Sequence, residues 1–242
     1  MTDEHIRHTV HSFDSDMKRL SGVLLEMGEL AVRQVADATR ALLERDDALA
    51  REVVEREKKL NAFDTSGEEL AVQVIAKRQP MGIDLRAVIV MLKGFTELER
   101  IGDEAKKLAK IARRVMIDEV DPLEVYRAGF TRMAQRAEDS LTKALEALRE
   151  QDSGLAVEVA EGDKLLDLEY KDALRAIHDG VTERPSLLPI AADAVLIIKA
   201  LERVGDHAKN IAKHVLYLVE GRDVRHVKSK RLAEELGRTP SE

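Results

Sequence analysis

A thirteen-residue segment occurs twice in this chain and constrains its fold more than any other feature. LERIGDEAKKLAK occupies residues 98–110 and LERVGDHAKNIAK occupies residues 201–213, and nine of the thirteen positions are identical at a constant spacing of 103. A second pair of similar segments, ALLERD at 41–46 and ALREQD at 147–152, is separated by 106 residues. Segments that recur in the same order indicate an internal duplication. The chain is therefore expected to contain two copies of one structural unit.

The composition and the spacing of apolar residues predict that each unit is helical. Hydrophobic residues make up 44% of the sequence, charged residues 35% and aromatic residues 3%, a balance typical of long amphipathic helices. Apolar residues recur at steps of three and four between short breaks. The predicted helices span residues 14–44, 48–77, 84–116, 123–150, 155–179 and 187–219. We expect an all-α fold of two pseudo-symmetric antiparallel three-helix bundles, with domains at 1–118 and 119–220 and a polar tail at 221–242.

Composition also disfavours several classes of protein. The sequence contains no cysteine, which rules out disulfides and thiolate metal sites and leaves carboxylate and imidazole as the strong metal ligands. Neither a signal peptide nor an apolar run long enough to span a membrane is visible, so we expect a soluble cytoplasmic protein. A net charge of −7 disfavours nucleic acid as the main partner, because duplex binding needs a concentrated basic face.

Each copy of the repeated segment carries two carboxylates four residues apart, Glu99 with Asp103 and Glu202 with Asp206. Residues at that spacing lie on one face of a helix, and the preceding turns of this face are apolar. Carboxylates at the edge of a core need a counterion, which either a neighbouring basic side chain or a hard cation can supply. The repeated basic residues nearby are Arg100, Lys106, Arg203 and Lys209. The spacing leaves a buried ion pair and a metal site as alternatives.

A further pair of acids, Asp163 and Asp167 on the fifth predicted helix, favours the metal alternative. These residues align with Glu57 and Asn61 in the first half at the spacing of 106. Acids from two helices of one bundle can converge on a shared cation. Because Asn61 offers only a neutral oxygen, the second half is expected to bind metal more strongly. The predicted ligands of a divalent or iron-type metal are Glu202, Asp206, Asp163, Asp167, Glu99, Asp103 and Glu57, and no organic cofactor is expected.

Catalytic interpretations find less support. A ferritin-type di-iron site needs a histidine three residues after a ligand glutamate, and Gly102 and Gly205 occupy those positions. These glycines instead predict close packing between helices. His178 and His214 are expected on helix surfaces, since no nucleophile or acid accompanies them in a recognisable motif. No catalytic residue is assigned, and the protein is not expected to be an enzyme.

The combination of duplicated segment, order and length resembles the PhoU family of bacterial phosphate-signalling proteins. Besides the two copies, the resemblance rests on FDSDMKRLSGVLLEMGELA at 13–31, RQPMGIDLR at 78–86 and EGDKLLDLE at 161–169. It extends over most of the chain, from about Phe13 to Glu220. The resemblance implies two three-helix bundles related by a pseudo-twofold axis.

The resemblance also carries functional implications. It implies a negative regulator of the phosphate-starvation response that links the ATPase subunit of a phosphate-specific ABC transporter to a phosphate-sensing histidine kinase. It further implies a homodimer, and metal binding through the paired acids named above. Asn61 and the absence of a second DLR sequence depart from the family pattern and weaken the expectation of symmetric metal binding. A metal-binding or metal-storage helical bundle is the alternative function.

Overall fold

The computed structural model describes residues 3–116 and 124–221, with side chains from residue 12 onward. Six long α-helices account for nearly all of these residues, and no β-strand occurs among them. Single 3-10 turns, Glu124–Tyr126 and Pro185–Leu187, precede the fourth and sixth helices. The helices are α1 Asp3–Glu44, α2 Asp47–Arg78, α3 Ile83–Val115, α4 Arg127–Glu150, α5 Ser153–Glu183 and α6 Leu188–Glu220. The all-α prediction is confirmed.

The predicted helix boundaries agree with the structure to within about one turn, except at the first helix. α1 begins at Asp3 rather than at residue 14. The residues before position 14 are mostly polar, but they include neither proline nor glycine, so nothing in them interrupts the helical backbone. The predicted start of the fourth helix at Leu123, the domain boundary at 118–119 and the tail at 222–242 lie outside the described residues.

The turns that follow α1 and α4 are built in the same way, as the repeated segments ALLERD and ALREQD predict. Arg45 and Gln151 adopt the left-handed backbone conformation, with φ of 58° and 52°. The next residue caps the following helix in each repeat. Asp46 accepts a hydrogen bond from the amide of Leu49 at 2.9 Å, and Asp152 accepts hydrogen bonds from two amides at 2.7 and 3.1 Å. The two halves therefore begin with the same helical hairpin.

Each repeat forms a three-helix bundle, α1 to α3 in the first and α4 to α6 in the second, and the bundles pack side by side. α3 lies against α6, and α1 lies against α4. One apolar core of mainly aliphatic side chains fills both bundles, and Phe95 and Phe130 are among its largest fully buried members. No helix in the described part of the chain is long and apolar enough to cross a membrane.

Gly102 and Gly205 lie where neighbouring helices approach closely, as the sequence predicts. A Cβ atom at Gly102 would lie 2.5 Å from Cδ1 of Leu60 on α2, and a Cβ atom at Gly205 would collide with Leu166 on α5. Leu60 and Leu166 are equivalent residues at the spacing of 106, and both are buried. The absence of a side chain thus lets α3 approach α2, and α6 approach α5, at corresponding points beside the paired acids.

Candidate functional site: two acid clusters

The predicted acids lie in two clusters, one in each bundle, and the second cluster (Asp163, Asp167, Glu202 and Asp206) lies between α5 and α6. Asp163 is buried, with 7% of its surface exposed. The Nζ atom of Lys209, which extends from α6, contacts the carboxylate of Asp163 and lies 3.1 Å from Oδ1 of Asp206. One lysine therefore neutralises acids from both helices.

A second lysine, Lys199, contacts the remaining acid of α6 in this cluster. Its Nζ atom lies 2.8 and 2.7 Å from the two carboxylate oxygens of Glu202 and 5.5 Å from the centre of the Tyr170 ring on α5. The side chain of Glu202 is only 13% exposed, whereas that of Lys199 is 47% exposed, so the ion pair is shielded from water on the side of the acid only. Lys199 thus connects α6 to α5 at a second place.

The charges of the second cluster are coupled. Burial raises the pKa of Asp163, although the hydrogen bond from Lys209 acts in the opposite direction. Burial by itself would lower the pKa of Lys209, but its hydrogen bonds with Asp163 and Asp206 prevail and raise the pKa above its ordinary value. Lys209 therefore keeps its positive charge across the physiological pH range.

The first cluster (Glu57, Asp64, Glu99 and Asp103) lies at the corresponding place between α2 and α3. Glu57 is 5% exposed. Its Oε2 atom lies 2.8 Å from Nζ of Lys106, and its Oε1 atom accepts a hydrogen bond from Nδ2 of Asn61 at 2.8 Å. Asn61 is therefore a hydrogen-bond donor to an acid, a role that an ionised aspartate could not fill.

Glu99 has no lysine partner that corresponds to Lys199 among the described residues. The equivalent position holds Thr96, whose hydroxyl donates a hydrogen bond to the backbone of its own helix. Burial raises the pKa of Glu99, and the negative charges of Asp103 and Asp64 raise it further. The outer acids of the first cluster are thus less well compensated than those of the second.

Asp64 belongs to the first cluster, because its charge acts on Glu99, although the comparison of the two repeats does not indicate it. Burial and the charge of Glu68 raise its pKa, and its Oδ1 atom is buried without a hydrogen-bond partner in the described part of the structure. Asp64 follows Glu57 by seven residues, which places both on one face of α2 about two turns apart. That spacing could have identified it. The equivalent residue in the second repeat is Tyr170.

All seven predicted metal ligands fall within the two clusters, and so do the lysines that were considered as alternative counterions. Within residues 3–116 and 124–221, no three histidine, aspartate or glutamate side chains are placed to hold a metal ion together. The carboxylates of Asp163, Asp206 and Glu202 in the second cluster, and of Glu57 in the first, contact lysine ammonium groups instead. Metal binding would require the carboxylates to rotate toward a common centre, and it stays a prediction.

A separate polar group occupies the surface where α3 packs against α6, which we call the seam. Glu97 of α3 is 8% exposed. Its Oε2 atom lies 2.7 Å from Nδ1 of His207 and 3.3 Å from Nδ2 of Asn210, and its Oε1 atom lies 3.8 Å from Nε2 of His214. Burial opposes ionisation of Glu97, but the contacts with His207, His214 and Asn210 outweigh it and lower the pKa to about 2. Glu97 is therefore an ionised carboxylate enclosed between the repeats.

The prediction that His214 lies on a helix surface is wrong, whereas His178 is exposed as expected. His214 is 6% exposed and faces Glu97 across the seam. It lies seven residues after His207, so both histidines share the face of α6 that α3 covers. The spacing of residues within α6 does not show that this face packs against a helix of the other repeat.

The seam is not symmetric between the repeats. Glu104 of α3, which is 4% exposed, lies 2.9 Å from Arg203 of α6 and 2.8 Å from Lys107 of its own helix. The residue equivalent to Glu97 in the second repeat is Ala200, and the residue equivalent to Glu104 is His207. One part of the seam therefore pairs a glutamate with histidines, and the other pairs a glutamate with arginine and lysine.

Comparison with protein families and curated proteins gives a consistent result. The PhoU domain model matches residues 24–112 and 130–215, one match in each repeat. The chain is 37% identical over 237 residues to a Pseudomonas aeruginosa protein named phosphate-specific transport system accessory protein PhoU homolog, covering 97% of this chain and 96% of the relative. It is 32% identical over 221 residues to the Escherichia coli K12 protein named phosphate-specific transport system accessory protein PhoU, covering 91% and 90% respectively.

Solved structures show the same architecture. The crystal structure of PhoU from Pseudomonas aeruginosa matches with a TM-score of 0.84 and 36% identity, covering 87% of this chain and 100% of that chain. The phosphate transport system regulatory protein PhoU from Streptococcus pneumoniae, at 23% identity, shares the fold with a TM-score of 0.79 over 87% of this chain and 98% of that chain. The family model, the curated relatives and the structures agree with the duplicated three-helix bundles seen here. The chain belongs to the PhoU family.

Proposed function

We propose that this chain is an accessory protein that regulates a phosphate-specific transport system and performs no catalytic turnover. The observation that carries the proposal is the similarity of both repeats, over nearly the whole chain, to relatives that bear that name. The geometry supports a binding role, because the most buried acids, Glu57, Asp163 and Glu97, are each held by a lysine or by histidines. Side chains fixed in this way suit a rigid scaffold better than proton transfer.

We further propose that the protein acts in the cytoplasm as a negative regulator of the phosphate-starvation response. In this role it contacts the ATPase subunit of the transporter and a phosphate-sensing histidine kinase, and keeps the kinase from activating the response when phosphate is plentiful. The two bundles pack along α3 and α6, and the accessible surface of 13299 Å² far exceeds the roughly 800 Å² per partner that a typical protein interface buries. A homodimer is part of the same proposal.

A deletion strain tests the regulatory role directly. Removal of the gene from its host is expected to raise expression of phosphate-starvation genes in phosphate-rich medium, and the wild-type chain supplied from a plasmid should restore repression. Arg175→Met, which removes an exposed ion pair with Asp172, should restore it equally and serves as the matched control. Unchanged repression in the deletion strain would contradict the proposal.

A binding assay tests the partners. Immobilised full-length chain is expected to retain the purified ATPase subunit and, separately, the cytoplasmic part of the kinase. If the chain retains neither partner, although its circular dichroism shows an intact helical fold, the proposed coupling mechanism is wrong. The regulatory phenotype would then need another explanation.

Binding of a divalent or iron-type metal is a second proposal, and the first cluster supports it best. Thr96 stands where the second repeat has Lys199, and burial and the charges of Asp103 and Asp64 raise the pKa of Glu99. Elemental analysis of protein purified without chelator should then find metal, and Glu99→Gln/Asp103→Asn should reduce it. Metal at background level in the wild type would count against this function.

A further inference from the structure

The two acid clusters differ at equivalent positions in a way that changes their counterions. Lys199 in the second repeat corresponds to Thr96 in the first, and Tyr170 corresponds to Asp64. The first exchange adds a positive charge to the second cluster, and the second exchange removes a negative charge from it. Both exchanges therefore favour internal neutralisation of the second cluster.

Lys209 occupies the position that a bridging cation would need in the second cluster. Its Nζ atom contacts Asp163 of α5 and lies 3.1 Å from Asp206 of α6, so it joins the acids of two helices. Its counterpart Lys106 forms its ion pair with Glu57 of α2, at 2.8 Å. The backbone positions of the two lysines are equivalent, but Lys209 is shared between acids of both helices.

The contact of Lys209 with Asp163 is more buried than an ordinary surface ion pair, whereas Lys199 is 47% exposed and its partner Glu202 is 13% exposed. The side chains of Lys209 and Asp163 are 21% and 9% exposed, whereas those of the surface pair Lys58 and Glu55 are 73% and 70% exposed. Lys199 contacts both oxygens of Glu202. A carboxylate whose oxygens are already engaged has to release the ammonium before it can coordinate a metal ion.

We infer that Lys199 and Lys209 are the resident counterions of the second acid cluster and that they exclude metal ions from its carboxylates. The second repeat therefore uses its own lysines where the acid spacing alone suggests a metal. This inference is independent of the regulatory role proposed above, because it concerns only the cation that the cluster holds.

Titration with Mn²⁺, an ion that prefers carboxylate oxygens, tests the inference on the full-length chain. Lys199→Thr/Lys209→Met is expected to bind one additional Mn²⁺ per chain, or to bind it at least about ten-fold more tightly than the wild type, in isothermal titration calorimetry. Mn²⁺ should also raise the melting temperature of this variant more than that of the wild type. Arg175→Met, which removes an exposed ion pair with Asp172, is the matched control and should behave as the wild type does.

Further variants locate the effect. Adding Asp163→Asn to the double variant should abolish the gained Mn²⁺ binding, and Lys209→Arg, which keeps the positive charge, should show no gain. If Lys209→Met does not fold, Lys199→Thr alone carries the test, because it places at position 199 the residue found at the equivalent position of the first repeat. Equal stoichiometry and affinity for Mn²⁺ in the wild type and in the lysine variants that fold would overturn the inference.

Discussion

The two repeats share helices, turns and glycine contacts but neutralise their acids differently. In the second repeat, Lys209 is shared by acids of two helices and Lys199 contacts both oxygens of Glu202. In the first, Lys106 pairs with Glu57, and burial together with the charges of Asp103 and Asp64 raises the pKa of Glu99. The comparison shows that two repeats can keep the same backbone, because the residues that pack between the helices are equivalent. The charged side chains that neutralise the acids can nevertheless differ.

The largest expected effect concerns the seam, where the first repeat supplies a glutamate and the second supplies histidines. Glu97→Gln should lower the free energy of unfolding at neutral pH by roughly 3 kcal/mol, since the pKa of Glu97 is about 2 in the folded state against the ordinary value of 4.5. Because the folded pKa is lowered, this contribution is complete above about pH 4.5 and is lost as the pH falls toward 2.

Urea unfolding at pH 7 and pH 3 measures this effect. The difference in stability between wild type and Glu97→Gln should shrink at the lower pH. Glu104→Gln is the matched comparison, and its effect should be smaller because its partners Arg203 and Lys107 are about half exposed. A stability difference for Glu97→Gln that does not change with pH would contradict the assignment.

Replacing the cluster lysines compares the two clusters directly. Lys209→Met should destabilise the fold by roughly 2 kcal/mol, below the cost of breaking a fully buried pair, because the lysine is partly exposed. Lys106→Met should cost about 1 kcal/mol, since Asn61 still donates a hydrogen bond to Glu57. Chemical denaturation of both variants at one pH measures the difference. Equal losses would mean that sharing Lys209 between two helices adds nothing to stability.

Alanine substitutions separate packing from helix propensity. Gly205→Ala should destabilise the second repeat by about 1 to 2 kcal/mol, because its Cβ would collide with the buried Leu166. Gly162→Ala, on the facing helix, has no neighbour within 4 Å of the added Cβ and should stabilise the fold by about 0.5 to 1 kcal/mol. Thermal melts of the two variants should therefore shift in opposite directions, and a shift in the same direction would contradict the packing argument.

The smallest expected effect comes from giving the first cluster the lysine of the second. Thr96→Lys should place an ammonium near Glu99 and raise stability by about 0.2 to 0.5 kcal/mol. Thr131→Lys is the control, because Thr131 also donates a hydrogen bond to its own helix but lies outside both clusters. Equal changes in the two variants would show that helix propensity, and not the cluster, explains the gain.

NMR titration of Glu99 provides the direct readout, since its pKa should fall in Thr96→Lys alone.

The sequence predicted those features that depend on spacing within one helix or on the repeat. The six helices, the paired hairpin turns, the glycine contacts and the common faces of the acid pairs belong to this class. Of the four basic residues considered, Lys106 and Lys209 reach the clusters because each follows a cluster aspartate by three residues. Arg203 follows Glu202 directly, which rotates it by about 100° toward the seam.

Features that depend on contact between the repeats were not predictable in the same way. The burial of His214 and the enclosure of Glu97 arise because α3 packs on α6, and no pattern within either helix identifies that partner. Asp64 was missed because its equivalent is a tyrosine, so the repeat did not draw attention to it. The length of α1 was underestimated because polarity does not by itself end a helix.

The asymmetry of the seam accounts for the two polar changes in the thirteen-residue segment. Its four differences are two apolar exchanges, Ile101 with Val204 and Leu108 with Ile211, and two polar exchanges, Glu104 with His207 and Lys107 with Asn210.

Both polar exchanges involve the seam: Lys107 contacts the seam residue Glu104, and His207 and Asn210 contact Glu97. Two identical copies would have to present the same side chains to each other, whereas the diverged copies present acid to base. Neither repeat can therefore replace the other in this contact, and a pair of first repeats or a pair of second repeats would lose the Glu97–His207 contact. The two copies of one ancestral segment now carry different side chains that complement each other across the seam.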